Sequence, residues 1–435
     1  MAQSFQIVQL AVSQQVASAP SALQSTGALI SQGGTTLASG TRLLLTQLSD
    51  LTTSLAAARA ISGITWASSV ATVTTAAAHG YTVGDVVPIV ISGVTPAGYN
   101  GTFNCTITTT TAFTYPLVAN PGSETVPGVY LLADEGELAS MATTFFAQGS
   151  NQAIYVLELG EGTAAEGVTA LSTYITANPG IFYAYVVPRE WDGVSSFLTL
   201  LATFEALTSK TYFFITTTAG TYTSYTAAMK CAFTLVQAPG ATEFSAAAPI
   251  YKLLNYAPSP TNKVTPFAYS YMYGVTPYPP AGNGTILASY KTANVNVIGT
   301  GAEGGISNSV LFYGTTQDGS DFTYWYSVDW MQIYGERDLA AAVINGSNNP
   351  LAPLYYDQPG INTLLATAQR TVTRGIQDGL IQSAVVSAID FMTYTTANPT
   401  DYQNGIYNGI SVTFTPNRGF KSITLNLAVS NIPLQ

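Results

Sequence analysis

Charge is what this chain has least of. Of its 435 residues, 8% are Asp, Glu, Lys or Arg, against about 25% in an ordinary soluble domain. Thirteen basic residues against 23 acidic ones leave a formal net charge of −10. No run of Lys or Arg occurs, so nucleic-acid binding, which needs clustered cations, is excluded. One histidine and two cysteines exclude a conventional zinc centre and a disulfide framework. Cys105 and Cys231 lie in segments of different texture and read as free buried thiols. Thr, Ser and Gly break every apolar stretch short of about 18 residues, which predicts no membrane insertion. The opening MAQSFQIVQLAVSQQV has neither the basic n-region nor the unbroken apolar core of a secretory signal, so the expectation is a soluble chain made in the cytoplasm. What remains is a chain 47% apolar with little charge to cover its surface, and such surface finds partners.

Four regions follow one another. Residues 1–60 carry a first strand, FQIVQLAV, and then TRLLLTQLSDLTTSLAAARA, where Leu44, Leu48, Leu51 and Leu55 recur at helical spacing. Residues 61–131 alternate Thr, Val and aromatics between glycines at 80, 84, 93, 98 and 101, the pattern of an inserted small all-β sandwich or barrel. Residues 132–345 alternate apolar runs with helical periodicity: QAIYVLEL, TAAEGVTALSTYI, IFYAYVVP, VSSFLTLLATFEAL, TYFFITT. That is an α/β core of crossover units around a mostly parallel sheet, continued by helix-like stretches at 221–256 and a Tyr-rich strand, KVTPFAYSYMYGVTP. In residues 346–435, Ile361, Leu364, Leu365, Ala368, Val372 and Ile376 form one helical stripe. Ile410, Val412 and Phe414, a Pro-Asn-Arg-Gly turn, and Ile423, Leu425, Leu427 and Val429 then read as a closing β-hairpin. The fold class is therefore α+β or α/β, with an inserted all-β module.

Motifs for chemistry are few. Gly299, Gly301 and Gly304 in GTGAEGG satisfy G-x-G-x-x-G, yet ISNSVLFYG after them is a strand pattern, whereas a pyrophosphate needs a following helix. A glycine-rich turn between strands is the plainer account, and no cofactor is expected. His79 has no G-x-S-x-G elbow to serve and reads as a structural turn residue. The acidic concentration is YGTTQDGSDFTYWYSVDWM. Asp318, Asp321 and Asp329 with Trp325 and Trp330 have the residue types of a glycosidase. Equally, QDGSD is a turn signal, FTYWYSV a strand, and Asp329 the cap of a helix beginning DWMQIYGERDLAAAVI. Glu336 or Asp338 can pair with Arg337 or Arg370.

This stretch, continued through INGSNNPLAPLYYDQPGINTLLATAQRTVTRGIQDGLI, resembles the C-terminal half of contractile-tail sheath proteins of tailed bacteriophages. The resemblance rests on Gly314, Thr315 and Thr316 with Asp318 and Gly319, on Asp329-Trp330, on Gly360-Ile361 and on Asp378-Gly379. Upstream, AAAPIYKLLNY, FAYSYMYGVTP and KTANVNVIG are similar to the family's segments. It spans residues 150–435, with a weaker match over 1–60, and the module at 61–131 departs from the minimal sheath pattern.

The resemblance implies a non-enzymatic virion subunit that polymerises, six to a stacked ring, around a tail tube. It contracts on a baseplate signal and drives the tube through the bacterial envelope. Its implied partners are itself, the tail tube protein, and baseplate and tail terminator proteins. Terminal strands that add to a neighbour's sheet would tie the subunits together. Here those strands would carry Phe5, Ile7 and Leu10 at the N-terminus, and Ile410, Val412, Phe414, Ile423, Leu425, Leu427 and Val429 at the C-terminus. Two further readings stay open: another assembly protein such as a tail tube subunit, adhesin or surface-layer protein, and a carbohydrate-active enzyme using the aspartates.

Overall fold

A computed structural model describes residues 20–421 except 57, 82, 85, 226–228, 281, 282 and 303–305. The chain begins with β1 (Gly27–Ser31), β2 (Arg42–Leu45) and a single helical turn, α1 (Ser49–Thr52). The helix expected over TRLLLTQLSDLTTSLAAARA is not formed. Arg42–Leu45 instead pairs antiparallel with a later strand, placing Leu44 opposite Tyr155 and Leu45 opposite Ile154, and Leu45 is fully buried while Leu44 is exposed. Tertiary pairing has overridden a helical spacing of leucines.

Six strands then form a closed antiparallel barrel: β3 (Arg59–Ala67), β4 (Val70–Thr75), β5 (Val86–Ser92), β6 (Gly101–Thr109), β7 (Ala112–Pro116) and β8 (Val129–Leu132), in the order β3-β4-β7-β6-β5-β8. Its first and last strands pair with each other, Arg59 opposite Tyr130 and Ala60 opposite Val129, which closes the ring and removes both edges. Ile64, Val73, Ile89, Ile107, Phe113 and Tyr130 fill it. Cys105 is a free thiol in this core, pushed up to about 12 by burial. His79 is buried at the rim, its Nε2 2.9 Å from the Thr109 carbonyl and its Nδ1 accepting the Tyr81 amide, so its role is structural.

Beyond the barrel come α2 (Ala133–Phe146), β9 (Ile154–Glu158), α3 (Ala164–Ala177), β10 (Ala184–Val186), α4 (Ser195–Ala202), β11 (Tyr212–Thr217), β12 (Ala232–Val236) and α5 (Ala247–Leu254). These are the expected crossover units. The helix-like stretches at 221–256 resolve into β12 and α5. The sheet runs β12-β11-β10-β1-β9-β2, parallel except for the edge strand β2. β1 and β11 inside the sheet, and β12 at its edge, are buried along their whole length, which is why they read as largely apolar runs without alternation. Leu29, Phe214 and Phe233 face the layer of α2 and α5. Ile30, Tyr185 and Phe213 face the layer of α3 and α4. Thr163 and Glu166 form a capping box that starts α3.

The remaining elements are α6 (Gly284–Thr292), the antiparallel pair β13 (Val297–Ala302) and β14 (Ile306–Phe312), α7 (Phe322–Asn348), α8 (Gln358–Gln377), β15 (Ile381–Ala388), α9 (Phe391–Ala397), α10 (Pro399–Gln403) and β16 (Ile410–Pro416). KVTPFAYSYMYGVTP is no strand; Tyr271 makes only an isolated bridge to Val310. FTYWYSV is likewise not a strand but the start of α7. Its large residues are buried on nearly every side, Phe322, Trp325, Tyr326 and Trp330 among them, and an all-round apolar helix imitates a two-faced strand. α8 buries Ile361, Ala368 and Val372 as its stripe predicts, while Ile376 is exposed. Gly375 takes the contact with α7: a Cβ there would lie 3.1 Å from the Trp330 ring.

Candidate assembly surface

The acidic, aromatic stretch is consumed internally. Asp318 accepts the Thr316 hydroxyl at 2.6 Å, the Ser320 amide at 2.9 Å and the Trp325 indole at 2.9 Å. Asp321, not Asp329, caps α7, accepting the Thr323 amide at 2.9 Å. Asp329 lies inside the helix, fully buried, and accepts the hydroxyls of Tyr183 at 2.8 Å and Tyr212 at 2.7 Å. Burial pushes its carboxyl up to about 6. Trp325 and Trp330 are buried, so neither offers a ring to a sugar. These residues do not form the pair of carboxylates flanking an open site that glycoside hydrolysis requires.

The ligand crevice of an open α/β sheet lies outside the carboxyl ends of its strands, where strand order reverses. Here that point is beside β1, which has β9 on one side and β10 on the other. The Glu158 carboxylate fills it. It accepts the amides of Gly33 at 2.6 Å, Gly160 at 2.8 Å and Thr35 at 3.2 Å, and the hydroxyls of Ser31 and Thr35 at 2.7 Å each. Backbone donors of the kind that elsewhere cradle a phosphate are occupied by the chain's own anion. Glu158 belongs to no sequence motif; its one signal is an acidic residue ending an otherwise apolar strand in IYVLE. Gly299 and Gly301 lie in β13, which pairs with another strand and leads into no helix; Gly304 lies outside the described residues.

Of the residues expected at subunit contacts, Ile410, Val412 and Phe414 lie on β16. Phe5, Ile7, Leu10, Ile423, Leu425, Leu427 and Val429 lie outside the described residues. The described partner of β16 is β15, a strand the residue pattern does not announce, in an antiparallel ribbon. Ala384 opposite Phe414 and Val386 opposite Val412 form one face, which packs on the main core. Ser383 opposite Thr415, Val385 opposite Thr413 and Ser387 opposite Ser411 form the other, which is exposed. The apolar side chains of β16 thus turn toward the chain's own core. Among the described residues each ribbon strand is paired on one side only. Val385, 70% exposed, and Met392, 68% exposed, mark the surface around them.

Beneath the ribbon, α7 and α8 are joined by a polar cluster. Asp338 accepts from Arg337 at 2.7 Å, Arg374 at 3.1 Å and the Thr371 hydroxyl at 2.7 Å. Burial pushes the Asp338 carboxyl up, but the Thr371 hydroxyl and the two guanidiniums outweigh it and hold the group below its usual range. Both arginines lie over the Tyr334 ring, at 4.3 and 4.6 Å. Arg370 bonds the Thr367 hydroxyl. The cluster is partly exposed and contributes about 1 kcal/mol or less per pair.

No family model matches the chain, and no curated protein matches it. Among solved structures, it is similar to a sheath tail protein of Listeria innocua, 9% identical with a TM-score of 0.41, over 83% of this chain and 88% of that one. It is also similar to a chain of the anti-feeding prophage baseplate in its contracted state, 10% identical with a TM-score of 0.47, over 99% and 97%.

Proposed function

We propose that the chain is the sheath subunit of a contractile phage tail or phage-like particle. It polymerises as stacked six-membered rings around a tail tube and contracts to drive that tube through a bacterial envelope. The observation that carries this proposal is the β15–β16 ribbon, anchored to the core by one face and, among the described residues, paired along only one backbone edge of each strand. An edge of this kind takes a strand from a neighbouring copy. The strands proposed to fill it are FQIVQLAV at the N-terminus and residues 423–429 at the C-terminus. Their apolar residues suit the addition, since one face of an added strand would continue the buried face of the ribbon.

The sparse charge and the resemblance of residues 313–381 to sheath sequences support the same conclusion. So does the internal use of Asp318, Asp321 and Asp329, the acids of the glycosidase reading. Tube, baseplate and tail terminator proteins are the proposed partners, and the virion tail is the proposed location. Electron microscopy of the purified chain at rising concentration tests this. Hollow striated cylinders are expected; compact, closed particles of fixed size at every concentration would reject self-assembly into a sheath.

A further inference from the structure

The proposed function leaves one built site unused, the crevice beside β1 where strand order reverses. Glu158 sits there 1% exposed and, among the described residues, in no ion pair. Neutral donors hold its charge instead, and they are sorted by oxygen. Oε1 accepts the amides of Gly33 at 2.6 Å and Gly160 at 2.8 Å. Oε2 accepts the hydroxyls of Ser31 and Thr35 at 2.7 Å each and the Thr35 amide at 3.2 Å.

These donors are oriented by bonds that do not involve Glu158. The Gly34 amide donates to Ser31 Oγ at 3.1 Å and the Leu37 amide to Thr35 Oγ1 at 3.2 Å. Each hydroxyl is thus already an acceptor and turns its own proton toward the anion. Gly33 has a φ of +82°, the left-handed turn that lets neighbouring amides converge on one point as an anion-binding nest. The nest lies where open α/β sheets receive their ligands. Two oxygens with separate donor sets match a carboxylate. Asp134, which feels Glu190, Glu137 and Glu158, marks the neighbourhood as acidic, so a second negative charge on the ligand is opposed.

We propose that this crevice is a binding site for a small monocarboxylate and that Glu158 is its resident ligand, carried on the chain in place of one taken from solution. Five preset donors around one carboxylate supply charge-assisted hydrogen bonds to whichever carboxylate occupies the nest. The site also lies on the path to the barrel, since the Gly34 carbonyl accepts the Ala56 amide at 3.1 Å.

Glu158→Ala in the full chain removes a fragment the size of acetate and tests the site. Equilibrium dialysis with radiolabelled acetate at neutral pH, with ionic strength held constant by sodium chloride, is expected to find one saturable acetate per variant chain and none on the wild type. Amide hydrogen exchange should locate it, acetate slowing residues 31–36 and 159–161 in the variant alone. Adding Thr35→Val, which removes a hydroxyl donor to a charged oxygen, should weaken acetate binding about tenfold or more. If Glu158→Ala does not fold in chloride, refolding from urea in acetate against chloride reads the same site: recovery in acetate alone supports the proposal, and failure in both overturns it. A folded variant that takes up no acetate also overturns it, as does uptake that the wild type matches or that Thr35→Val leaves unchanged. None of these readouts requires cylinders, so the sheath proposal and this one can fail separately.

Discussion

The barrel and the β15–β16 ribbon are both antiparallel and both built from Thr, Val and aromatic residues, yet they end in opposite ways. The barrel pairs its last strand with its first and buries Phe113 and Tyr130 at its centre, so every strand has two neighbours. Among the described residues the ribbon has two strands, and it lends its apolar face to a core made by other elements. Two strands alone are marginal in water. Edge closure, not composition, separates a module complete in itself from one that has sides left to offer.

The largest effect should come from removing what is proposed to fill the ribbon. Deleting residues 420–435 is expected to abolish cylinders in electron microscopy while the monomer keeps its circular dichroism. Long tubes from the truncated chain would break the contrast from the ribbon's side. From the other side, Phe113→Ala should cost the barrel about 3–5 kcal/mol. Calorimetry should then show a separate low-temperature transition with the α/β core retained.

Third in size is a pH effect where barrel meets core. Glu135, in the first turn of α2, is buried with neither carboxylate oxygen partnered among the described residues. Burial raises it from 4.5 to about 7. The folded chain therefore holds a proton that the unfolded chain releases. Its stabilising contribution is complete below 4.5 and is lost as pH rises to about 7. Glu135→Gln should flatten the fall in melting temperature across that window. The smallest effect on the monomer is expected at the exposed ribbon face, where Val385→Lys should change stability by no more than about 0.5 kcal/mol and still shorten the assemblies.

The parts of this fold that were legible in the sequence are those whose signal is local. IYVLE and YFFITT were readable as strands because a doubly covered strand is apolar throughout, and TAAEGVTALSTYI as a helix from its own periodicity. The barrel was readable from alternation punctuated by glycine. Elements whose identity depends on a distant partner were not. Leu43 and Leu45 became a strand only because β9 lay beside them. The first turns of α7 looked like a strand because aromatics on all sides erase a helical period. Glu158 gathers donors from residues 31–35, more than 120 positions away, and no motif spans that distance. β15 was missed because Val385 stands on its exposed face and Ala384 and Ala388 on its inner one, leaving little contrast to detect.

The pairing of Arg59 with Tyr130 and Ala60 with Val129 has a further consequence. The chain leaves for the barrel and returns from it at nearly the same point, since facing residues of an antiparallel pair lie about 5 Å apart. A short bridge could therefore replace everything between, and any domain whose ends lie side by side could be spliced in. The position is a socket, suited to carrying foreign cargo on whatever the core builds.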